Sequence, residues 1–204
     1  MLGLRGRFIV ALAGGGKVYS IGDNVARQQL SEPFSYKVGV QIDTASGSFG
    51  YQALDMQSGG SRPLVFVRYY NGHADRLGPL GYGWSHSYET RLVLTEEGNA
   101  GVLFGSGKEI FFTWNNIGQS FTPADARIHD TLAKIAGGDY LFTTKTNQRY
   151  TFDAAGVLTA ITDANDNATL FGYSAGRLTG VLAPGGVTLT LGYDAAGRLA
   201  SVSD

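Results

Sequence analysis

Serine beside histidine is the first chemistry to weigh in this chain. Gly83-Trp84-Ser85-His86-Ser87 stops one residue short of a nucleophile elbow, because Ser87 stands where the closing glycine belongs. No strand–turn–helix pattern surrounds it and no acid partner is apparent, so packing within a loop is favoured over catalysis. His73, His86 and His129 are the only histidines, and none has the short ligand spacing of a zinc site. Cysteine is absent, which removes a disulfide framework and thiolate ligation together. Asp163-Ala164-Asn165-Asp166-Asn167 matches the first half of a calcium loop. It then fails at Ala168, where glycine is required, and at Ser174, where a bidentate glutamate belongs. Gly14-Gly15-Gly16-Lys17 lacks both the opening glycine and the following Ser or Thr of a phosphate loop. The inventory yields no nucleophile–base–acid set, so the expectation is a protein that is not an enzyme and holds no metal or cofactor.

Arginine and tyrosine remain. Arg177 and Arg198 suit ligand contact, but pairing with acids such as Asp194 and Asp204, or lying along an aromatic row, is the plainer reading. Surface ion pairs of that kind are worth less than about 1 kcal/mol each. Tyr173 and Tyr193 recur as a sugar-stacking platform would, with core packing as the default.

Composition points to strands. The 204 residues include thirty glycines, eleven tyrosines and eleven phenylalanines, with only 16% charged residues and a net charge of −1. Such a chain favours many short strands joined by tight turns around a core of useful size. No basic face marks a nucleic-acid partner, and no run is long enough to span a membrane. Arg5 and Arg7 before Phe8-Ile9-Val10-Ala11-Leu12-Ala13 faintly resemble a signal peptide, but the apolar run is short, and a strand or upstream segment is favoured.

The elements follow from alternation. Residues 1–35 form a Gly-rich lead-in with little pattern, their order left open. Val38, Val40 and Ile42 alternate as one strand face, Asp43–Gly47 reads as a turn, and Phe49, Tyr51 and Ala53 complete a hairpin. Pro63–Tyr70 is apolar at nearly every position, as a central strand covered on both faces would be. Asn71–Ser87 reads as a loop in which Trp84 plugs the end of a sheet. Hairpins are expected around the Glu96–Asn99 and Gly105–Gly107 turns. Residues 122–136 fit either a short helix starting at Pro123 or a loop followed by a strand at Thr131–Ile135. Alternation resumes at Tyr140 and Phe142.

The last stretch repeats itself. Tyr150-Thr-Phe152-Asp153-Ala-Ala-Gly156-Val157-Leu158 returns as Phe171-Gly-Tyr173-Ser174-Ala-Gly176-Arg177-Leu178, then as Leu191-Gly-Tyr193-Asp194-Ala-Ala-Gly197-Arg198-Leu199. The copies open 21 and 20 residues apart, the spacing of a stacked array whose units bury their apolar faces on one another. In each copy two residues share a sheet face, Asp or Ser opens a turn, and glycine closes it with positive φ. Leu178 with Val181, and Leu199 with Val202, are three apart. That breaks strict alternation, through a bulge or through a strand buried on both faces. The connectors Asp163–Asn167 and Ala183–Gly186 are turn compositions, so the whole reads as a meander of hairpins.

The Tyr-Asp…Gly-Arg-Leu unit resembles the YD repeat of Rhs (rearrangement hotspot) proteins. Upstream, Val40-Gln-Ile-Asp43-Thr-Ala-Ser-Gly47-Ser-Phe49 resembles the opening of that family's N-terminal domain. Pro63-Leu-Val-Phe-Val-Arg68-Tyr69-Tyr70-Asn71 and Gly81-Tyr-Gly83-Trp84-Ser-His86 are similar to two further stretches of it. The resemblance covers about residues 36–204. It implies an all-β protein, with an entry β domain at 36–149 leading into three YD repeats at 150–204, as a section of a hollow shell. Such shells commonly enclose a C-terminal toxin in bacterial competition, and related chains are wall-associated or at the cell surface. The expected partners are therefore the rest of the shell, its toxin and secretion machinery, with the chain exported. The structural repeat positions are Phe152, Asp153, Gly156, Leu158, Tyr173, Gly176, Arg177, Leu178, Tyr193, Asp194, Gly197, Arg198 and Leu199. The entry motif comprises Asp43, Gly47, Arg68, Tyr70, Gly81, Gly83 and Trp84.

Several residues depart from the family pattern. Phe152 replaces its Tyr, Val157 its Arg and Ser174 its Asp, and Asp163–Asn167 lacks the usual Pro and Gly. The family's self-cleavage motif, toxin domain and needle-tip domain do not appear, and three repeats are too few to close a shell. The alternatives from other classes are a glycan- or cell-binding surface module, which an exposed row of Tyr150, Tyr173 and Tyr193 would favour, and a fragment with no independent role.

Overall fold

The computed structural model describes residues 49–59 and 62–204 in full, and otherwise the backbone of four short strands. These are β1 (Arg7–Val10) with β2 (Tyr19–Gly22), and β3 (Lys37–Val38) with β4 (Ile42–Asp43), each an antiparallel pair. The second pair corrects the sequence reading. Val38 and Ile42 face each other across a reversal and do not lie along one strand, so the expected hairpin with residues 49–53 does not form. Gly47 lies outside the described residues.

β5 (Gly50–Gln57) pairs instead with β6 (Val65–Asn71), and β6 pairs on its other side with β9 (Trp84–His86). Thus β6 is central within its sheet, as its composition suggests, yet only Phe66 along it is fully buried. The Asn71–Ser87 stretch is less of a loop than expected. It holds a small hairpin, β7 (Leu77–Gly78) with β8 (Gly81–Tyr82), and then β9 itself.

A four-stranded meander follows: β10 (Arg91–Leu94), β11 (Ala100–Leu103), β12 (Glu109–Asn115) and β13 (Ser120–Pro123). Of the ambiguous 122–136 stretch, Thr122 and Pro123 end β13, and a loop then leads to strand β14 (Thr131–Lys134); no helix starts at Pro123. β14 opens an eight-stranded antiparallel sheet that continues, each strand beside the next, through β15 (Tyr140–Thr143), β16 (Arg149–Phe152), β17 (Leu158–Thr162), β18 (Ala168–Ser174), β19 (Arg177–Leu182), β20 (Thr188–Tyr193) and β21 (Leu199–Ser203). The sheet that carries the repeats therefore starts at Thr131, ahead of the first copy.

One core joins these sheets. Leu92, Val102, Ile110 and Phe112 from the four-stranded sheet form a single buried cluster with Phe142, Phe152, Leu158, Val181 and Leu189 from the eight-stranded one. Phe142 lies edge-on to both Phe104 and Phe112, with ring centroids 6.0 and 6.1 Å away. Edge-to-face packing of this kind adds to area burial and fixes how the two sheet faces seat.

Candidate functional site: the joints of a repeat wall

One turn builds most of the meander. At Asp153–Val157 the amide of Asp153 donates to the Val157 carbonyl, and the amide of Gly156 donates to the Asp153 carbonyl, both at 2.9 Å. The same pair of bonds closes 95–99, 104–108, 135–139, 144–148, 163–167, 183–187 and 194–198. The fourth residue has positive φ each time, and is Asn147 or Asp166 where it is not glycine. Asp153 Oδ1 also accepts from the amides of Ala155 and Val157, and Asp194 Oδ1 from that of Arg198, which is why aspartate opens these turns. The second copy differs. Ser174 pairs directly with Arg177 across a two-residue turn in which Ala175 and Gly176 have φ of 47° and 74°, the type I′ pattern.

The spacing of three in each copy is a bulge. Register slips by one residue between Thr151 and Phe152, between Gly172 and Tyr173, and between Gly192 and Tyr193, so that Thr159, Thr179 and Ala200 stand unpaired. Thr159 and Thr179 donate their hydroxyls to the Thr151 and Gly172 carbonyls opposite, at 3.1 and 3.2 Å. Connector turns have no such slip. Bulges raise local twist, so a slip in every copy bends the wall at regular intervals on one side.

The first copy is fused to the entry region. The Leu92 amide of β10 donates to the Gly156 carbonyl at 2.9 Å, and Arg91 bridges Val157. A Cβ on Gly156 would overlap the Leu92 carbonyl oxygen, and φ there is 82°. This explains two departures from the repeat pattern. Phe152 is completely buried, where a tyrosine hydroxyl would be sealed in, and Val157 lies where β10 docks.

The joint from the second copy to the third keeps the pattern. Tyr193 donates its hydroxyl to the Leu178 carbonyl at 2.9 Å, and the Arg177 guanidinium lies 5.6 Å from the Tyr193 ring centroid. Gly197 adjoins that guanidinium, which a Cβ would strike. Burial falls along the array at the leucine position, though not at the aromatic one, where Tyr173 is more exposed than Tyr193. Phe152 and Leu158 are fully buried, Leu178 is buried beside a Tyr173 that is 36% exposed, and Tyr193 and Leu199 are half-buried. Arg198 pairs with Asp194 at 2.8 Å. The three tyrosines do not form an exposed row, since Tyr150 packs against Phe104 and Phe142 and bonds Gln148.

The entry motif also converges. β6 and β9 set Arg68 opposite His86 and Tyr70 opposite Trp84, so two stretches distant in sequence meet. Arg68 is held by both oxygens of Asp55, which raises its pKa, and lies 5.4 Å from the Trp84 ring. Tyr70 packs against Trp84 in a tilted arrangement, ring centroids 5.2 Å apart. Gly83 has φ of 75°, and a Cβ there would press on the Tyr70 ring and the Asn71 carbonyl. Gly81 likewise has positive φ. Asp43 contributes its backbone to β4.

The residues with chemical potential are used for structure. Buried Ser85 donates to the Gly105 carbonyl at 2.5 Å. His86 is buried and stacks on Phe66 at 5.0 Å, and its Nδ1 accepts from the Tyr88 amide. Burial, aided by Arg76, lowers its pKa to about 4. Glu89 accepts from the His86 amide and pairs with Arg76, while its own burial raises its pKa. Asp163 is occupied by the Asn165 and Asn167 amides, the Asn167 side chain and Arg62; these bonds, led by the Asn167 amide, hold its pKa at about 2. Among the described residues no cluster of His, Asp and Glu suits a metal ion. Leu92, Thr159 and Thr179 are joint residues that sequence reasoning missed, since nothing in their types announces a docking strand or a bulge.

Fold and joints together define an all-β, stacked-hairpin repeat protein built onto an entry domain. A family described as RHS Repeat matches residues 152–188 and 173–204, and a domain of unknown function, DUF6531, matches residues 39–112. The two matches are consistent with an Rhs/YD-repeat protein that has an N-terminal region ahead of its repeats. Comparison with curated proteins gives no match.

Proposed function

We propose that this chain is the N-terminal section of an Rhs-type shell that encloses a toxin and helps deliver it, with the toxin carried elsewhere in the assembly. The work of this section is steric. A hydrogen-bonded wall isolates the cargo, and the entry domain closes one end. The single observation that supports this most is the continuous eight-stranded sheet whose inner face shares one core with the entry region. A wall anchored at one side and open to further strands at the other is what a shell section needs. On this reading the chain is exported, acts without catalysis, and meets the rest of the shell and secretion machinery as partners. Among the described residues no helix is long and apolar enough to cross a membrane.

Solution mass by light scattering tests it, on the chain alone and on the chain extended by downstream repeats. Self-association of the chain alone that the added repeats relieve is the expected result. A stable monomer whose behaviour added repeats do not change would contradict the shell reading.

A further inference from the structure

We propose that residues 76–92 are an acid-released strap across the wall: protonation of His86 frees the third copy from the entry region while the first stays docked. The inference rests on reading the sheet as a wall section. The strap touches each copy in turn. At one end the Leu92 amide meets the Gly156 carbonyl of the first copy, at 2.9 Å. In its middle Tyr88 packs against Phe171 of the second, with ring centroids 5.9 Å apart. At the other end the Pro79 carbonyl accepts from the Leu199 amide of the third, at 2.8 Å.

The two ends are held unequally. Leu92 is buried in the common core, on a strand of the four-stranded sheet. None of residues 77–82 is buried, and Leu77 and Tyr82 face solvent as a cross-strand pair. The β7–β8 hairpin is kept in place by what lies behind it. The Gly83 amide donates to the Arg76 carbonyl at 3.0 Å, Arg76 pairs with Glu89, and a Cβ on Gly78 would overlap the Trp84 carbonyl oxygen. The hairpin therefore rides on β9. A segment with so little burial of its own opens before the rest.

His86 is the residue of β9 that acid changes. Its Nδ1 accepts from the Tyr88 amide, and a protonated ring has no lone pair there to do so. Charged and titratable groups surround it on every side. Arg76 approaches from before β7, and Tyr88 and Glu89 from after β9. Arg68 stands opposite on β6, held by Asp55 of β5. Beyond Glu89 lie Arg91 of β10, Glu109 of β12 and Tyr193 of the third copy. Burial raises the pKa of Glu89, so acid neutralises it before it charges His86. That first proton by itself favours the closed strap, but it removes the anion that Arg76 pairs with. The imidazolium then faces Arg76 without it, inside a buried site, and moving β9 and its hairpin toward water relieves the charge.

The test follows amide hydrogen exchange of the full chain between pH 7 and 4, corrected for the intrinsic rate, in the parent and in His86→Gln. Leu199 is the reporter, because its amide donates to the strap, and Leu92 and the β16 amides are the references. Leu199 is expected to be less protected than either reference at every pH. Its protection in the parent should fall by about 100-fold more than in His86→Gln, the ratio for a ring that binds its proton near pH 6.5 when released and near pH 4 when closed. Equal pH slopes in the two proteins, or Leu199 protection no lower than that of β16, would overturn the strap. Direct titration of the His86 ring by NMR keeps the test decisive if the variant fails to fold: a ring titrating near pH 6.5 in the folded parent would also overturn it. Each of these failures leaves the wall reading standing, since light scattering with added repeats judges that separately.

Discussion

The first and third copies of the repeat share a sequence pattern and both bond the entry region, but they are buried to different depths. The first bonds it through the Leu92 amide and Gly156 carbonyl, the third through the Leu199 amide and Pro79 carbonyl. The first is pinned by β10, its Phe152 and Leu158 sealed from solvent. The third ends in β21, whose Ala200, Ser201 and Ser203 are exposed and whose Leu199 is half-buried. The copy that departs most from the family pattern is the one most deeply built in. Terminal units of stacked arrays are atypical because one of their faces meets something other than another unit. Here that face meets the entry region, and Phe152 and Val157 are the adaptation.

Paired substitutions sharpen this contrast. Gly156→Val adds positive-φ strain and drives a side chain into the Leu92 backbone, so a loss of at least about 4 kcal/mol is expected by denaturant titration. Gly197→Val bears the same strain but meets only the movable end of Arg177, and about 2 kcal/mol is expected. Equal losses would remove the distinction between the deeply seated first copy and the shallower third. Restoring the family tyrosine at the first copy, Phe152→Tyr, should cost about 1–3 kcal/mol by sealing in an unpaired hydroxyl. Tyr193→Phe at the third removes one hydrogen bond, for about 1 kcal/mol.

Acid should act through the entry region. Unfolded His86 binds a proton near pH 6.5 and the folded residue only near pH 4. Its contribution is thus fully present above pH 6.5 and is lost as pH falls toward 4, by about 3 kcal/mol. Glu89, its pKa raised by burial, works in the opposite direction on acidification. Subtracting the pH profile of His86→Phe from that of the parent removes the Glu89 contribution, and a flat difference between pH 4 and 6.5 would refute the assignment. The smallest effect belongs to the middle copy. Ala175→Gly should stabilise by about 1 kcal/mol, because alanine there holds φ of 47°.

The repeats were legible because their side chains recur: aromatic pairs, Gly-Arg-Leu and a regular period. The same five-residue turn at 95–99, 104–108 and 135–139 was not recognisable as one device. Those turns share hydrogen bonds and a glycine at the fourth place, while Thr95, Phe104 and Ile135 at their openings have nothing in common. Alternation at Val38, Val40 and Ile42 misled, because period-two spacing does not show where a chain reverses. The meeting of Arg68 and Tyr70 with His86 and Trp84 was implied by motif order but not by any local signal, since strand pairing at that separation is a tertiary fact. Docking of Leu92 on Gly156 left only indirect traces, in Val157 and Phe152.

Residue-resolved native-state hydrogen exchange tests most directly whether the wall is held more firmly at its first copy than at its third. Amides of β16 and β17 should exchange only through global unfolding, while those of β21 should exchange through local opening at a markedly lower free energy. Uniform protection across the eight strands, or a last hairpin more protected than the first, would contradict it.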